Sequence, residues 1–164
     1  MLGFLSLLPR DLIATAFDLA DANNKKPRQS HLLRAISTTY YAMFHALARC
    51  CADTMIGTNG ASRSKPAWQQ VYRSLEHGQC KESCKKRDKM ERFPAEIQDF
   101  ANLFISMQEK RHKADYDPTE RAYKSSVLLD IDQAQLAIKR FEAAPLKDRR
   151  AFAAWVLFKP LRKI

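Results

Sequence analysis

The chain has 164 residues and sets 28 lysines and arginines against 18 aspartates and glutamates, a formal charge of +10 with neutral histidines. At 46% hydrophobic and 28% charged, with four glycines and seven prolines, it is excluded from the collagenous, low-complexity and disordered classes. One domain with an ordinary core is expected, and its charge favours acidic partners: nucleic acid, nucleotide phosphates, anionic lipid or an acidic protein.

Residues 1–8 are largely apolar, but Pro9, Arg10 and Asp11 follow without a basic n-region or a small-residue cleavage site. A cytoplasmic location is therefore expected, with no membrane span, because no stretch approaches the roughly 18 apolar residues that one needs. The prolines and glycines fall between apolar-periodic stretches, as breakers do in an all-α protein. A first helix is predicted from Pro9 to about Asn24, with Leu12, Ala16, Leu19 and Ala20 inward. Ser30 is the expected N-cap of a second, long helix in which Leu33, Ile36, Tyr40, Met43, Phe44, Leu47 and Cys51 recur at three-four spacing. Gly57, Asn59, Gly60 and Ser62 mark a loop. Pro66 opens a shorter helix with Trp68, Val71, Tyr72 and Leu75 inward and Gly78 as its C-terminal cap. Residues 81–92 are polar and mostly basic, and read as a connector or a frayed helix end.

Pro94 starts the next helix, whose stripe Ile97, Phe100, Phe104 and Met107 leads at the same spacing to Arg111. After Pro118, Val127, Leu128, Ile131, Ala134, Ile138 and Phe141 give another long helix, ending near Pro145. In the tail, Trp155, Val156, Leu157 and Phe158 are consecutive, which implies burial in the core or at a dimer seam, with an anionic membrane surface as the alternative. The expected fold is an up-and-down bundle of five or six helices, with a core at about 9–145 and a basic, apolar helix at 146–164.

An arginine on an apolar stripe is costly unless it is paired, reaches water, or faces a functional cavity. If the helix continues past Arg111, Asp115 at i+4 is its partner; if it ends early before Pro118, Tyr116 swings back instead. On the second helix Ser37, Tyr41 and His45 follow at four-residue intervals, a polar strip beside the apolar face. Such a strip suits a groove between helices or subunits, or is simply a set of half-buried residues with satisfied hydrogen bonds. Basic residues gather at Lys25, Lys26, Arg28 and Arg34, at 81–92 and at 147–163, each of which also reads as a solvated face.

The run from Arg34 through Ser37, Tyr40 and Tyr41 to His45, the segment from Trp68 to Gly78, and Arg111-His-Lys-Ala-Asp-Tyr-Asp117 together resemble HEPN-domain proteins over roughly Pro9 to Pro145. The resemblance implies an all-α homodimer with a polar motif at the dimer groove. Many members are metal-independent endoribonucleases of toxin–antitoxin or defence systems, with an antitoxin or other protein partner, and others are non-catalytic RNA-binding or interaction modules. Nuclease members carry an arginine and a histidine separated by four to six residues. Here those positions hold Tyr116, Asp117 and Pro118, so the motif histidine is missing and Tyr116 stands in its place. A catalytic reading assigns Arg111 to the charge on the phosphate and His45 or Tyr116 to protons, with Asp115, Tyr41, Ser37 and Arg34 around the RNA or phosphate. A phenol near pKa ~10 is a poor base at neutral pH, and His112 points about 100° from Arg111, so His45 is the better candidate.

Cys50, Cys51, Cys80 and Cys84 are expected as reduced thiols. His77, Cys80 and Cys84 do not have the spacing of a standard zinc knuckle, so no metal or other cofactor is expected.

Overall fold

In a computed structural model of the chain, residues 7–160 are described. The expectations for the apolar opening at 1–6 and for the last tail cations, Arg162 and Lys163, lie outside the described residues. The architecture is all-α: α1 (Pro9–Ala20), α2 (Gln29–Ile56), α3 (Lys65–Ser74), α4 (His77–Cys84), α5 (Arg87–Met90), α6 (Ala95–Tyr116), α7 (Lys124–Ala143) and α8 (Leu146–Leu157). None of these helices is long and apolar enough to cross a membrane.

The 28-residue α2 runs through the middle and packs against α1, α3, α6, α7 and α8. Its sequence permits this, because Ala35, Ala42, Ala46, Ala48 and Ala52 are buried and let neighbouring helices approach closely. Thr38, Thr39 and Thr54 are also buried, and each hydroxyl donates to the carbonyl one turn back, at 2.7–2.8 Å, so no polar group is stranded. Around α2 the aromatic core is continuous: Phe100 of α6 stacks on Phe141 of α7 at 4.4 Å, and Phe152 of α8 meets Phe141 edge-on at 5.9 Å. Each such ring, fully buried, contributes about 1.5–3 kcal/mol through surface removed from water.

Among the described residues eight helices rather than five or six form, because the basic stretch at 81–92 is itself folded. Cys80, Ser83 and Cys84 bury one side of α4, and Met90 anchors the single turn of α5. Gly78 is no C-cap: α3 ends at Ser74 with extended, buried Leu75 as its cap residue, and Gly78 is the second residue of α4. The start of α2 is capped by Arg28, not Ser30, with the Arg28 N–H donating to His31 Nδ1 at 3.2 Å. On α1, Ile13 rather than Leu12 or Leu19 is the buried large side chain. The apolar tail becomes α8, whose Phe152, Ala153 and Val156 are buried within the same core while Trp155 donates to Ser83 O at 3.0 Å. That burial leaves Phe158 exposed and gives the apolar run an intramolecular explanation.

The first helix stops four residues short of its expected end because Asn23, Asn24 and Lys25 all have φ between 55° and 62°. Asparagine tolerates this left-handed region, but for lysine it costs roughly 1–2 kcal/mol. The turn is held by Lys124, which pairs with Asp21 at 2.8 Å and donates to Lys25 O at 3.1 Å. Lys25→Gly is therefore expected to raise stability by about 0.5–1 kcal/mol in urea unfolding, part of the relieved strain being offset by glycine's larger unfolded-state entropy. A loss of stability would show that the turn is not strained at that position.

Candidate functional site

The helix α6 does continue past Arg111, and this decides the geometry around it. Asp115, one turn on, carries its carboxylate 3.6 Å from Arg111, and Ser37 Oγ of α2 donates a hydrogen bond to the other carboxylate oxygen. The Arg111 side chain is only 13% exposed. Its guanidinium carbon lies 5.1 Å from the centre of the Tyr40 ring and 5.8 Å from that of Tyr41, so two aromatic faces from α2 cradle the charge. Its Nε is buried without a hydrogen-bond partner. A buried donor left unpaired costs about 1–3 kcal/mol, and the single ion pair at 3.6 Å leaves most of the guanidinium's donor capacity uncommitted.

A row of rings extends from this cation. Tyr40 OH lies 2.5 Å from His77 Nδ1, the His77 ring stacks on Phe44 at 3.9 Å, and the Tyr41 ring meets His77 edge-on at 6.0 Å. One turn further along α2, His45 Nδ1 is paired in the same manner with Tyr72 OH of α3. Gln108, one turn before Arg111, donates from Nε2 to the His77 carbonyl at 3.2 Å and so fixes the first residue of α4 against α6. Burial raises the pKa of both phenols, that of Tyr40 most, so both keep their protons. Burial, then the Arg111 charge, then His45 push His77 below the usual histidine range, and burial does the same to His45. Both imidazoles are consequently neutral at pH 7. Each neutral imidazole thus shares a hydrogen bond through Nδ1 with one protonated phenol, His77 with Tyr40 and His45 with Tyr72. The cluster therefore sets one guanidinium beside two neutral imidazoles.

Of the residues singled out from the sequence, Ser37, Tyr41, Arg111 and Asp115 come together, and His45 lies one turn along the same strip. Arg34 is exposed a turn before Ser37, and its carbonyl serves Thr38. Tyr116 is not part of the cluster: continuous helix carries it away from Arg111, and it is 68% exposed with its ring 5.0 Å from that of His112. The expected swing of Tyr116 toward Arg111 is thereby corrected. Tyr40, Tyr72, His77 and Gln108 are the residues that sequence reasoning missed as site members. Tyr40 counted only as core, and His77 was weighed only as a zinc ligand. The four cysteines are buried; burial raises the Cys50 thiol to about 11, and the Cys80 thiol is raised first by its hydrogen bond to Cys84. Among the described residues no group of three or more His, Cys, Asp or Glu side chains is arranged to hold a metal ion.

Because the folded chain lowers the pKa of His77 below the roughly 6.5 of the unfolded chain, the unfolded state binds more protons below that pH. The stability contributed by the neutral ring is complete above pH ~6.5 and is lost as the pH falls. His77→Gln, which keeps an acceptor for Tyr40, is expected to lose less stability than the parent protein between pH 7.5 and pH 5 in urea titrations. Equal losses would show that His77 is not held neutral. No family model, curated protein or solved structure matches the chain.

Proposed function

We propose that the protein is a HEPN-like, homodimeric RNA-binding protein whose groove takes a phosphate of the RNA on Arg111. The observation that carries this reading is the Arg111 side chain: nearly buried, stacked on Tyr40 and Tyr41, and with an unpaired Nε. A guanidinium is suited to phosphate because its planar fork meets two oxygens at once. Asp115, held by Ser37, orients the fork without consuming it. Tyr41 and His45, both half-buried, supply ring faces and edges for an unstacked base, which is how single-stranded RNA is commonly held. The remaining basic excess, including exposed Arg34, supplies the long-range attraction.

Binding is favoured over cleavage by the proton inventory. Attack by a 2′-hydroxyl needs a base, whereas both histidines have Nδ1 engaged by a tyrosine hydroxyl. Tyr116 lies outside the groove. A second reading, a helical interaction module with an antitoxin-like protein partner, draws on the closed Ser37–Asp115–Arg111 chain, which is self-sufficient as a structural tie.

Fluorescence anisotropy with a labelled unstructured RNA separates the two. The RNA-binding reading predicts affinity that falls steeply with added salt. Arg111→Ala is expected to weaken it roughly ten- to a hundredfold, and Arg111→Lys to restore only part, since lysine has neither fork nor planar stack. No cleavage is expected with or without chelator. Salt-insensitive or absent RNA binding, or full affinity in Arg111→Ala, would reject the reading in favour of the interaction module.

A further inference from the structure

A second feature lies away from Arg111. A cleft of about 530 Å³ opens between α1, α2 and α7. That volume is within the range of small-ligand sites, roughly 300–1,000 Å³. Its lining has two chemistries. Leu8, the Pro9 ring, Ile13 and Ile138 form an apolar floor, and Arg10, Arg49 and Lys139 bring cations from three different helices. On α7 the contributing residues Gln135, Ile138, Lys139 and Glu142 follow at i, i+3, i+4 and i+7, so a single helix face supplies both floor and rim.

The start of α1 adds an anion-attracting element to the same cleft. Its cap residue is Leu8, which has no side chain able to accept from the first amides. Pro9 has no N–H, and the amides of Asp11 and Leu12 both return to Leu8 O, at 3.0 and 3.2 Å. The Arg10 amide stands in the first turn, at the positive end of the helix dipole, with Asp11 the acidic residue of that turn. Among the lining residues Glu142 is the acidic one; Arg49 shares Asp53 at 3.7 Å, and Arg10 lies 3.7 Å from Asp11 in a pair so exposed that solvent screens it.

We infer that this cleft binds a small amphiphilic anion, a carboxylate or phosphate head on an apolar body, with the head between Arg10, Lys139 and the α1 amide and the body against Ile13 and Ile138. Cations and apolar side chains line the same cleft, a combination that neither a bare inorganic ion nor a neutral hydrocarbon would use in full. Either head group satisfies the same donors, so the two are separated by experiment.

Isothermal titration of the full chain with octanoate and with phenyl phosphate tests the inference, beside octan-1-ol and inorganic phosphate. Saturable binding of octanoate or phenyl phosphate is expected, at least about tenfold tighter than that of octan-1-ol or of inorganic phosphate respectively, so each head group is judged against its own control. Arg10→Glu with Lys139→Glu, both at exposed positions, is expected to weaken that binding about tenfold or more. Arg111→Ala is expected to leave it unchanged, so this site and the RNA groove can fail separately. Equal binding of octan-1-ol, undiminished binding by the double charge reversal, or no saturable binding by either anion would overturn the inference.

Discussion

Burial of α2 around most of its circumference is the constraint from which the rest of the structure follows. Sixteen of its 28 residues are buried, and five other helices pack against it. A helix so enclosed has few positions at which polarity is tolerated, and each polar side chain on it must be satisfied locally or by a neighbour. Thr38, Thr39 and Thr54 solve this within the helix. Ser37, Tyr40 and His45 solve it through α6, α4 and α3 respectively. The polar strip on α2 is thus both a packing problem and the source of the polar cluster around Arg111.

The same logic explains Arg111. It lies on the stripe that buries Ile97, Phe100, Phe104 and Met107 against α2, so its charge is delivered to the edge of the core rather than to a solvated face. Two tyrosine faces and one carboxylate are enough to retain it there, yet they leave the Nε unpaired. Nearby cations are differently employed: Lys110 is tied to buried Asp130 at 2.6 Å and Lys81 to Glu109 at 3.2 Å. The excess of positive charge therefore does not converge wholesale on Arg111, whose guanidinium is set apart by its two ring faces and its buried Nε.

The helical class, the stripe of α6 and the Ser37–Tyr41–His45 strip were legible because each depends on spacing within one helix. The Arg111–Asp115 pair was legible as one of two alternatives, and the persistence of α6 through Tyr116 chose between them. His77 was not legible in this role. It reaches Tyr40 across 37 residues of sequence, through an α3–α4 corner whose shape follows from the burial of Leu75 rather than from any turn signal. Gly78 pointed to a helix end where a helix begins, since a glycine in a first turn costs little. The short α4 and α5 were hidden by their lysines, which cover the outer side of a segment anchored inward by Cys80, Cys84 and Met90.

The central claim is that the Arg111 guanidinium is held ready for an external phosphate. Its Nε–Hε resonance, assigned in a ¹⁵N-labelled sample by comparison with Arg111→Lys, reports this directly, since a stacked and buried donor exchanges slowly enough to be observed. On titration with a short unstructured RNA the account predicts a saturable displacement of that resonance, at concentrations matching the binding curve. A resonance that stays in place while the RNA binds, or an RNA that leaves the whole spectrum unchanged, would contradict it.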